Sequence, residues 1–130
     1  MSLYMLNGVE VEIDTGDADF IERYQRGLDG IQRMKDTIPK TGSVSEIMKA
    51  ECQMMYSFFD TVFGQGFGQK LFGGKNNIEL CEDTYFQLID ICNEQLKRTT
   101  ARREERNRKY AQYVPNRQQR RDMQHKGGKH

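Results

Sequence analysis

The side chains that most often carry catalysis are sparse in this sequence. The two histidines, His125 and His130, lie at its basic end, away from most of the carboxylates that would orient them. A histidine base must lie within hydrogen-bonding reach of its partner, which would require that end to fold back. Carboxylates such as Glu79, Glu82 and Asp83 cluster at a predicted helix start, where the helix dipole already favours negative charge. We therefore expect a protein that is not an enzyme.

The three cysteines have no C-x-x-C spacing, and each lies in an apolar stretch with helical periodicity. They are Cys52, Cys81 and Cys92. Buried free thiols are typical of a reducing compartment, and we find no further ligands that would complete a metal site. No apolar run approaches the ~20 residues that span a membrane, and the start lacks the order of a secretory signal. We expect no metal, cofactor or membrane contact, and a cytoplasmic location.

A glycine-rich segment, Gly64–Gly68, invites comparison with the loops that bind dinucleotide phosphates. The comparison fails because Gln69 stands where the last glycine of G-x-G-x-x-G belongs and no strand precedes the segment. The Walker pattern fails as well, since Asn76 follows Lys75 where Ser or Thr is required. A connection between helices, with glycines at the helix ends, is the interpretation we prefer.

Charge is distributed unevenly along the chain. Residues 1–100 hold 10 Lys and Arg against 16 Asp and Glu, whereas residues 101–130 hold 10 against 3. The basic end carries six arginines that we regard as candidate partner contacts: Arg102, Arg103, Arg106, Arg117, Arg120 and Arg121. With Tyr110 and Tyr113 they have the composition of an arm that binds nucleic acid phosphates and stacks on bases. The basic end could equally dock on an acidic protein, fold back on the acidic residues 1–100, or stay solvated. We prefer docking or solvation to nucleic acid binding, because residues 1–100 supply no matching positive surface.

The periodicity of apolar residues predicts the elements that would position these side chains. Asn7-Gly8 between two short apolar segments is a strong signal for a two-residue hairpin turn. Val9, Val11 and Ile13 alternate with acidic residues, so one hairpin face should be apolar. Such a hairpin is marginal alone and must pack on helices or on another chain, and its open edge allows dimers or rings.

Three long helices are predicted after the hairpin, each with a polar residue placed to cap its first turn. Asp17 or Asp19 precedes the first helix, Ser43 opens a capping box before the second, and Asn76 or Asn77 precedes the third. Within the glycine-rich connection, the segment from Phe67 to Phe72 has room for one or two helical turns. Pro115 ends the last helix at the latest.

The sequence thus predicts a mainly α protein of the α+β class. An N-terminal β-hairpin packs on a bundle of three long helices, and the last helix extends into a basic tail. Residues 1–100 would form a single helical domain, and residues 101–130 a basic helical extension with a flexible end.

The order of these elements and four short motifs resemble a family of short phage and prophage proteins of Gram-positive bacteria. The motifs are Leu6-Asn7-Gly8, Phe58-Phe59-Asp60-Thr61-Val62-Phe63-Gly64, Leu71-Phe72-Gly73-Gly74-Lys75-Asn76-Asn77 and Pro115-Asn116-Arg117-Gln118-Gln119-Arg120-Arg121. In size and layout the chain is similar to the tail assembly chaperones of siphophages. This resemblance implies a noncatalytic morphogenesis factor that binds the tape measure protein or tail tube subunits and keeps them soluble.

Apolar residues around the glycine-rich connection are the candidate contacts with such a partner: Phe63, Phe67, Leu71 and Phe72. Exposed apolar side chains in a loop are suited to holding another protein. The competing interpretation is that these four side chains only close the core beneath the loop. The alternative function is a nucleic-acid-binding regulator that uses the basic tail.

Overall fold

The computed structural model describes residues 2–111, and these form a two-stranded antiparallel sheet and four helices. The elements are β1 (Leu3–Leu6), β2 (Val9–Glu12), α1 (Ala18–Lys35), α2 (Val44–Phe63), α3 (Phe67–Phe72) and α4 (Ile78–Lys109). The predicted class, mainly α with an N-terminal hairpin and long helices, is confirmed. None of the helices in residues 2–111 is long and apolar enough to cross a membrane.

The hairpin turn is the one that Asn-Gly predicts. Asn7 and Gly8 both have positive φ, 46° and 77°, as a type I′ turn requires. Leu6 pairs with Val9 directly beside the turn, and Leu3 pairs with Glu12 at the open end. One face of the hairpin is buried through Leu6, Val11 and Ile13, whereas Glu10 and Glu12 lie on the exposed face. The predicted alternation is therefore correct.

The predicted caps are present at the start of each long helix. Asp17 Oδ1 accepts a hydrogen bond from Asp19 N at 3.0 Å, and Ser43 Oγ accepts one from Glu46 N at 3.1 Å. Asn77 Oδ1 accepts from Leu80 N at 3.1 Å. Each bond satisfies an amide that has no partner within the helix.

The core forms where α1 packs on α2. Gly27 is buried in α1, and a Cβ atom at this position would lie 2.9 Å from Phe58 Cδ1 and 3.0 Å from Val62 Cγ2. The absence of a side chain at Gly27 therefore lets the two helices approach closely. Phe58, Phe59 and Val62 are at most 2% exposed, which places the centre of the core on α2.

A buried amide joins the hairpin segment to α4. Gln95 Oε1 accepts from Thr15 N at 2.9 Å and from Thr15 Oγ1 at 3.1 Å. Gln95 Nε2 donates to Ile13 O at 2.8 Å and to the Tyr4 hydroxyl at 3.1 Å. Because both ends of the amide are paired, burying Gln95 leaves no polar atom unsatisfied.

The chain divides into two compact units, Met1–Leu96 and Lys97–His130. The first contains the hairpin, α1 to α3 and α4 up to Leu96. In the second, residues 97–109 continue the helix α4, and the side chains of residues 100–111 are exposed. The predicted boundary after residue 100 lies slightly further along α4, and the predicted Pro115 stop lies outside the described residues.

We predict opposite effects for alanine at two glycines of α1. Gly27→Ala should lower the free energy of unfolding by roughly 1–3 kcal/mol, because the new methyl group overlaps Phe58 in a packed core. Gly30→Ala is the matched control, since its nearest neighbour would be Arg33 Nη2 at 3.7 Å. It should raise the free energy of unfolding by up to about 1 kcal/mol through helix propensity. Urea denaturation measures both, and equal effects would refute the close helix contact.

Candidate functional site

A groove with a volume of about 650 Å³ opens at the C-terminal end of α1 and is the candidate functional site. The residues that line it come from α1, the connection to α2, α2 itself and the first turns of α4. They are Ile31, Lys35, Ile38, Pro39, Lys40, Ile47, Glu51, Met54, Met55, Glu82, Tyr85 and Phe86. Most of these side chains are apolar, and all lie in the first compact unit. We call this feature the apolar groove.

The way α1 ends shapes one wall of the groove. Thr37 N and Thr37 Oγ1 both bond to Met34 O, at 2.9 and 2.7 Å, and Ile38 N bonds to Lys35 O at 3.4 Å. These tight bonds satisfy the last carbonyl groups of the helix. Ile38 is half-buried, and it lines the groove together with Pro39, which follows it.

An exposed aromatic residue stands at the α4 side of the groove. Phe86 is 57% exposed although it follows Tyr85, which is half-buried. The two rings pack edge to face with centroids 5.1 Å apart, and Tyr85 packs against Phe58 in the same way at 5.0 Å. Phe86 is therefore held against the core at one edge while much of its surface remains available for contact.

Charges of both signs lie around the groove. Lys35 and Lys40 come from the end of α1 and the following connection, whereas Glu51 and Glu82 come from α2 and α4. Within residues 2–111 the one ion pair is Arg26–Glu22, at 3.0 Å, so none of these four charges is paired internally. The groove thus combines an apolar lining with charges of both signs that remain available to a ligand.

The structure places the four apolar candidates around α3, mainly in the core. Leu71 and Phe72 are each 3% exposed, and Phe72 packs edge to face on Phe59 at 5.6 Å. Phe63 and Phe67 are half-buried and contact each other at 4.8 Å. Leu71 and Phe72 thus close the core, as the competing interpretation held. A contact of Phe63 or Phe67 with a partner stays a prediction.

The glycine-rich connection is built by specific packing and hydrogen bonds. A Cβ atom on Gly68 would lie 2.9 Å from Tyr56 O, so only glycine lets α3 approach the α2 backbone there. Gly68 N donates to Asp60 Oδ1 at 2.7 Å. Asn7 Nδ2 donates to Leu71 O at 2.6 Å, which joins the hairpin turn to α3. Several residues of the sequence motifs therefore stabilise the packing of α3 against α2 and the hairpin turn.

The arginine candidates are divided between described and undescribed residues. Arg102, Arg103 and Arg106 lie on the exposed part of α4 in the second compact unit. Arg117, Arg120 and Arg121 lie outside the described residues, as do His125 and His130. Among residues 97–109, seven Lys and Arg stand against two Glu, so this helical segment has a net charge of +5.

The cysteines and two core tyrosines are structural groups with suppressed ionisation. Burial, followed by the neighbouring Cys52, raises the pKa of Cys81 to about 12. Burial also raises the pKa of Cys92 to about 11, although a hydrogen bond with Tyr24 opposes this shift. The pKa values of Cys52, Tyr24 and Tyr85 are raised by burial as well. Residues 2–111 contain no group of three or more His, Cys, Asp and Glu placed to bind a metal ion.

The sequence did not reveal the groove, because its walls come from segments far apart along the chain. Phe86 was the one available signal. It falls outside the apolar stripe of α4 that contains Cys81, Leu88 and Cys92, and an aromatic residue off the buried stripe suggests a contact surface.

We predict that the protein loses stability as the pH rises above about 9. Unfolded thiols ionise near their ordinary pKa of 9.0, whereas folded Cys92 and Cys81 ionise only near pH 11 and 12. The stabilisation is therefore complete below pH 9 and is lost as the pH rises through the folded values. Each thiol contributes a slope of at most roughly 1.4 kcal/mol per pH unit. Urea unfolding at pH 8, 9 and 10 measures how steeply the free energy of unfolding falls with pH.

Cys81→Ala is the matched variant for this pH series. It should unfold more easily at every pH because a buried sulfur is lost, yet its stability should fall less steeply between pH 8 and 10. A slope identical to that of the unmodified protein would contradict the assignment to Cys81.

Comparison with known proteins gives one match. The model of a family of unknown function (DUF6673) matches residues 7–124, which is most of the chain, and the chain therefore belongs to this family. The match runs from the hairpin turn through α4 into the basic segment. Neither a curated protein nor a solved structure matches the chain.

Proposed function

We propose that this member of the DUF6673 family is a noncatalytic binding protein whose apolar groove holds an amphipathic helix of a partner. The partner we propose is a phage structural protein, either the tape measure protein or a tail tube subunit. The protein would then act as a tail assembly chaperone or related morphogenesis factor in a bacterial host.

The observation that carries this proposal is the combination of an apolar lining and unpaired charges in one groove. An amphipathic helix binds such grooves by inserting apolar side chains spaced three or four residues apart. The groove volume of about 650 Å³ suits a few such side chains. Ile38, Ile47 and Phe86 would contact the apolar face of the helix, and the charged residues would set its direction.

The charges favour a helix with both acidic and basic residues beside its apolar face. Lys35 and Lys40 would pair with acidic side chains, and Glu51 and Glu82 with basic ones. Opposite charges on different elements fix the orientation of a partner more than they add affinity. A chaperone that must release its client needs such specificity without very tight binding.

The noncatalytic part of the proposal is supported by the state of the nucleophiles. Cys81 and Cys92 are fully buried, and their raised pKa values keep both thiols protonated at neutral pH. A protonated, inaccessible thiol is a poor nucleophile. Free buried thiols also suit the reducing cytoplasm of the host cell, where we propose that the protein acts.

The phage part of the proposal is supported by the resemblance of the four sequence motifs to phage and prophage proteins. The structure gives those motifs in residues 2–111 a shared role, since Asn7, Asp60 and Leu71 form hydrogen bonds around α3. The same helix α2 also contributes Ile47 and Met54 to the apolar groove.

We predict that Phe86→Ser weakens client binding at least tenfold without unfolding the protein. Phe86 is exposed, so its loss leaves little cavity, but it removes the largest accessible side chain of the groove. The measurement is co-expression with a phage tape measure or tail tube protein, followed by assay of soluble complex. Val44→Ser is the control, because Val44 is 69% exposed and does not line the groove.

Two results would contradict the proposal. One is full client solubility and complex formation with Phe86→Ser. The other is the same loss of complex with Phe86→Ser and with Val44→Ser, since binding would then not depend on the groove.

A second candidate function is nucleic acid binding, and it rests on the exposed basic part of α4. Residues 97–109 carry a net charge of +5 on a helical segment whose arginines are all exposed. A helix with this charge neutralises phosphates regardless of sequence.

We predict that nucleic acid binding weakens when the positive charge of the exposed part of α4 is reduced. The triple variant Arg102→Gln, Arg103→Gln and Arg106→Gln should lower DNA or RNA affinity and flatten its salt dependence by up to about 0.9 per lost phosphate contact. Filter binding between 50 and 200 mM salt, with Lys35→Gln and Lys40→Gln as control, measures this. Unchanged retention in the triple variant would exclude α4 as the binding element.

A further inference from the structure

The backbone groups along the outer edge of β2 point away from β1, which follows from the hydrogen-bond register of the hairpin. Ile13 N donates to Ser2 O at 3.0 Å, so Ser2 and Ile13 form a hydrogen-bonded pair. Antiparallel pairs alternate between bonded and non-bonded. Leu3↔Glu12 and Met5↔Glu10 are therefore the non-bonded pairs, and the N–H and C=O groups of these residues point away from the partner strand.

The two edges of the hairpin differ in what they face. On β1, Met5 O accepts a hydrogen bond from Gln87 Nε2 of α4 at 3.3 Å. On β2, no hydrogen bond within residues 2–111 reaches the outward N–H and C=O groups of Glu10 and Glu12. Buried backbone groups are almost always paired, so these groups face solvent. As far as residues 2–111 are concerned, the edge of β2 is thus open to another strand.

The side chains beside this edge define what can pair with it. Glu10 and Glu12 lie on the exposed face of β2, with exposed Leu3 and Met5 opposite them on β1. A strand added to β2 places its own residues directly across from both carboxylates. Like charges in that position are destabilising, whereas opposite charges stabilise the pair.

The same argument disfavours a second copy of this strand as the occupant. In an antiparallel pair of β2 strands centred on Val11, Glu10 of each copy would lie opposite Glu12 of the other copy, which gives two pairs of like charges. Dimers or rings formed through this edge, which the sequence analysis considered, would therefore have repulsion between carboxylates in this register. A strand with basic side chains at these positions has no such repulsion.

We propose that the outer edge of β2 binds an extended segment of a partner protein that carries Lys or Arg at every second position. The segment becomes a third strand, bonded to the N–H and C=O groups of Glu10 and Glu12. Its basic side chains lie across from the two carboxylates. Strand addition of this kind takes affinity from the backbone and specificity from alternate side chains.

The apolar groove is not part of this surface. None of its lining residues belongs to the hairpin, and binding at the groove does not require the β2 edge. Failure of one proposal therefore leaves the other intact.

The probe for the test is a synthetic peptide of alternating lysine and valine, titrated into the isotopically labelled full-length protein. We expect chemical-shift changes centred on the amides of Glu10 and Glu12, together with slower hydrogen exchange of those amides. A peptide of the same sequence with methylated backbone nitrogens keeps the charge but cannot pair with a strand. It should bind at least tenfold more weakly.

Two sets of variants separate backbone pairing from charge attraction. Glu12→Pro removes only an outward N–H, which an edge strand tolerates, and should weaken binding of the lysine peptide while the Leu6↔Val9 pairing persists. Glu10→Lys with Glu12→Lys should transfer the preference to a peptide of alternating glutamate and valine. Asp29→Lys with Glu94→Lys is the control of equal charge change, and it should retain the original preference.

Three results would overturn the proposal. One is equal binding of the methylated and unmethylated peptides, which would indicate charge attraction without strand addition. Another is the same loss of preference in the Asp29 and Glu94 control. The third is the absence of any shift at Glu10 and Glu12 with the lysine peptide at millimolar concentration.

Discussion

The close contact between α1 and α2 at Gly27 is the constraint on which the rest of the described structure depends. Because Phe58 and Val62 pack directly on the α1 backbone, the two helices are fixed at a short separation there. Tyr24, about one turn earlier in α1, then packs on the same Phe58 ring, with the two ring centroids 6.5 Å apart. Nearer the end of α1, Lys35, Ile38 and Pro39 line the apolar groove.

Much of the fold was predictable because local rules determine it. Asn7-Gly8 fixes a hairpin turn, and Asp17, Ser43 and Asn77 each start a helix through a bond to an amide two or three residues ahead. These features need no knowledge of distant residues. Gly27 shows the limit of such rules, since helix propensity marks it as a weakness whereas packing makes it necessary.

The candidate site was largely not predictable, because it depends on residues far apart in the sequence. Ile38, Met54 and Phe86 line one groove only after three helices have packed. Conversely, Leu71 and Phe72 look available in a glycine-rich segment but are buried against α2. Exposure in a loop depends on what packs over it, and sequence periodicity reports only which residues are apolar. The buried amide of Gln95, 80 residues from Thr15, was unpredictable for the same reason.

That amide also has a consequence for the order in which the protein folds during its synthesis. The hairpin leaves the ribosome well before α4, yet Ile13 and Thr15 find their buried partner only when Gln95 has been made. A two-stranded hairpin has little stability alone. The hairpin segment therefore lacks this partner while α1, α2, α3 and the first half of α4 are translated, and its apolar face stays accessible to other nascent chains during that interval.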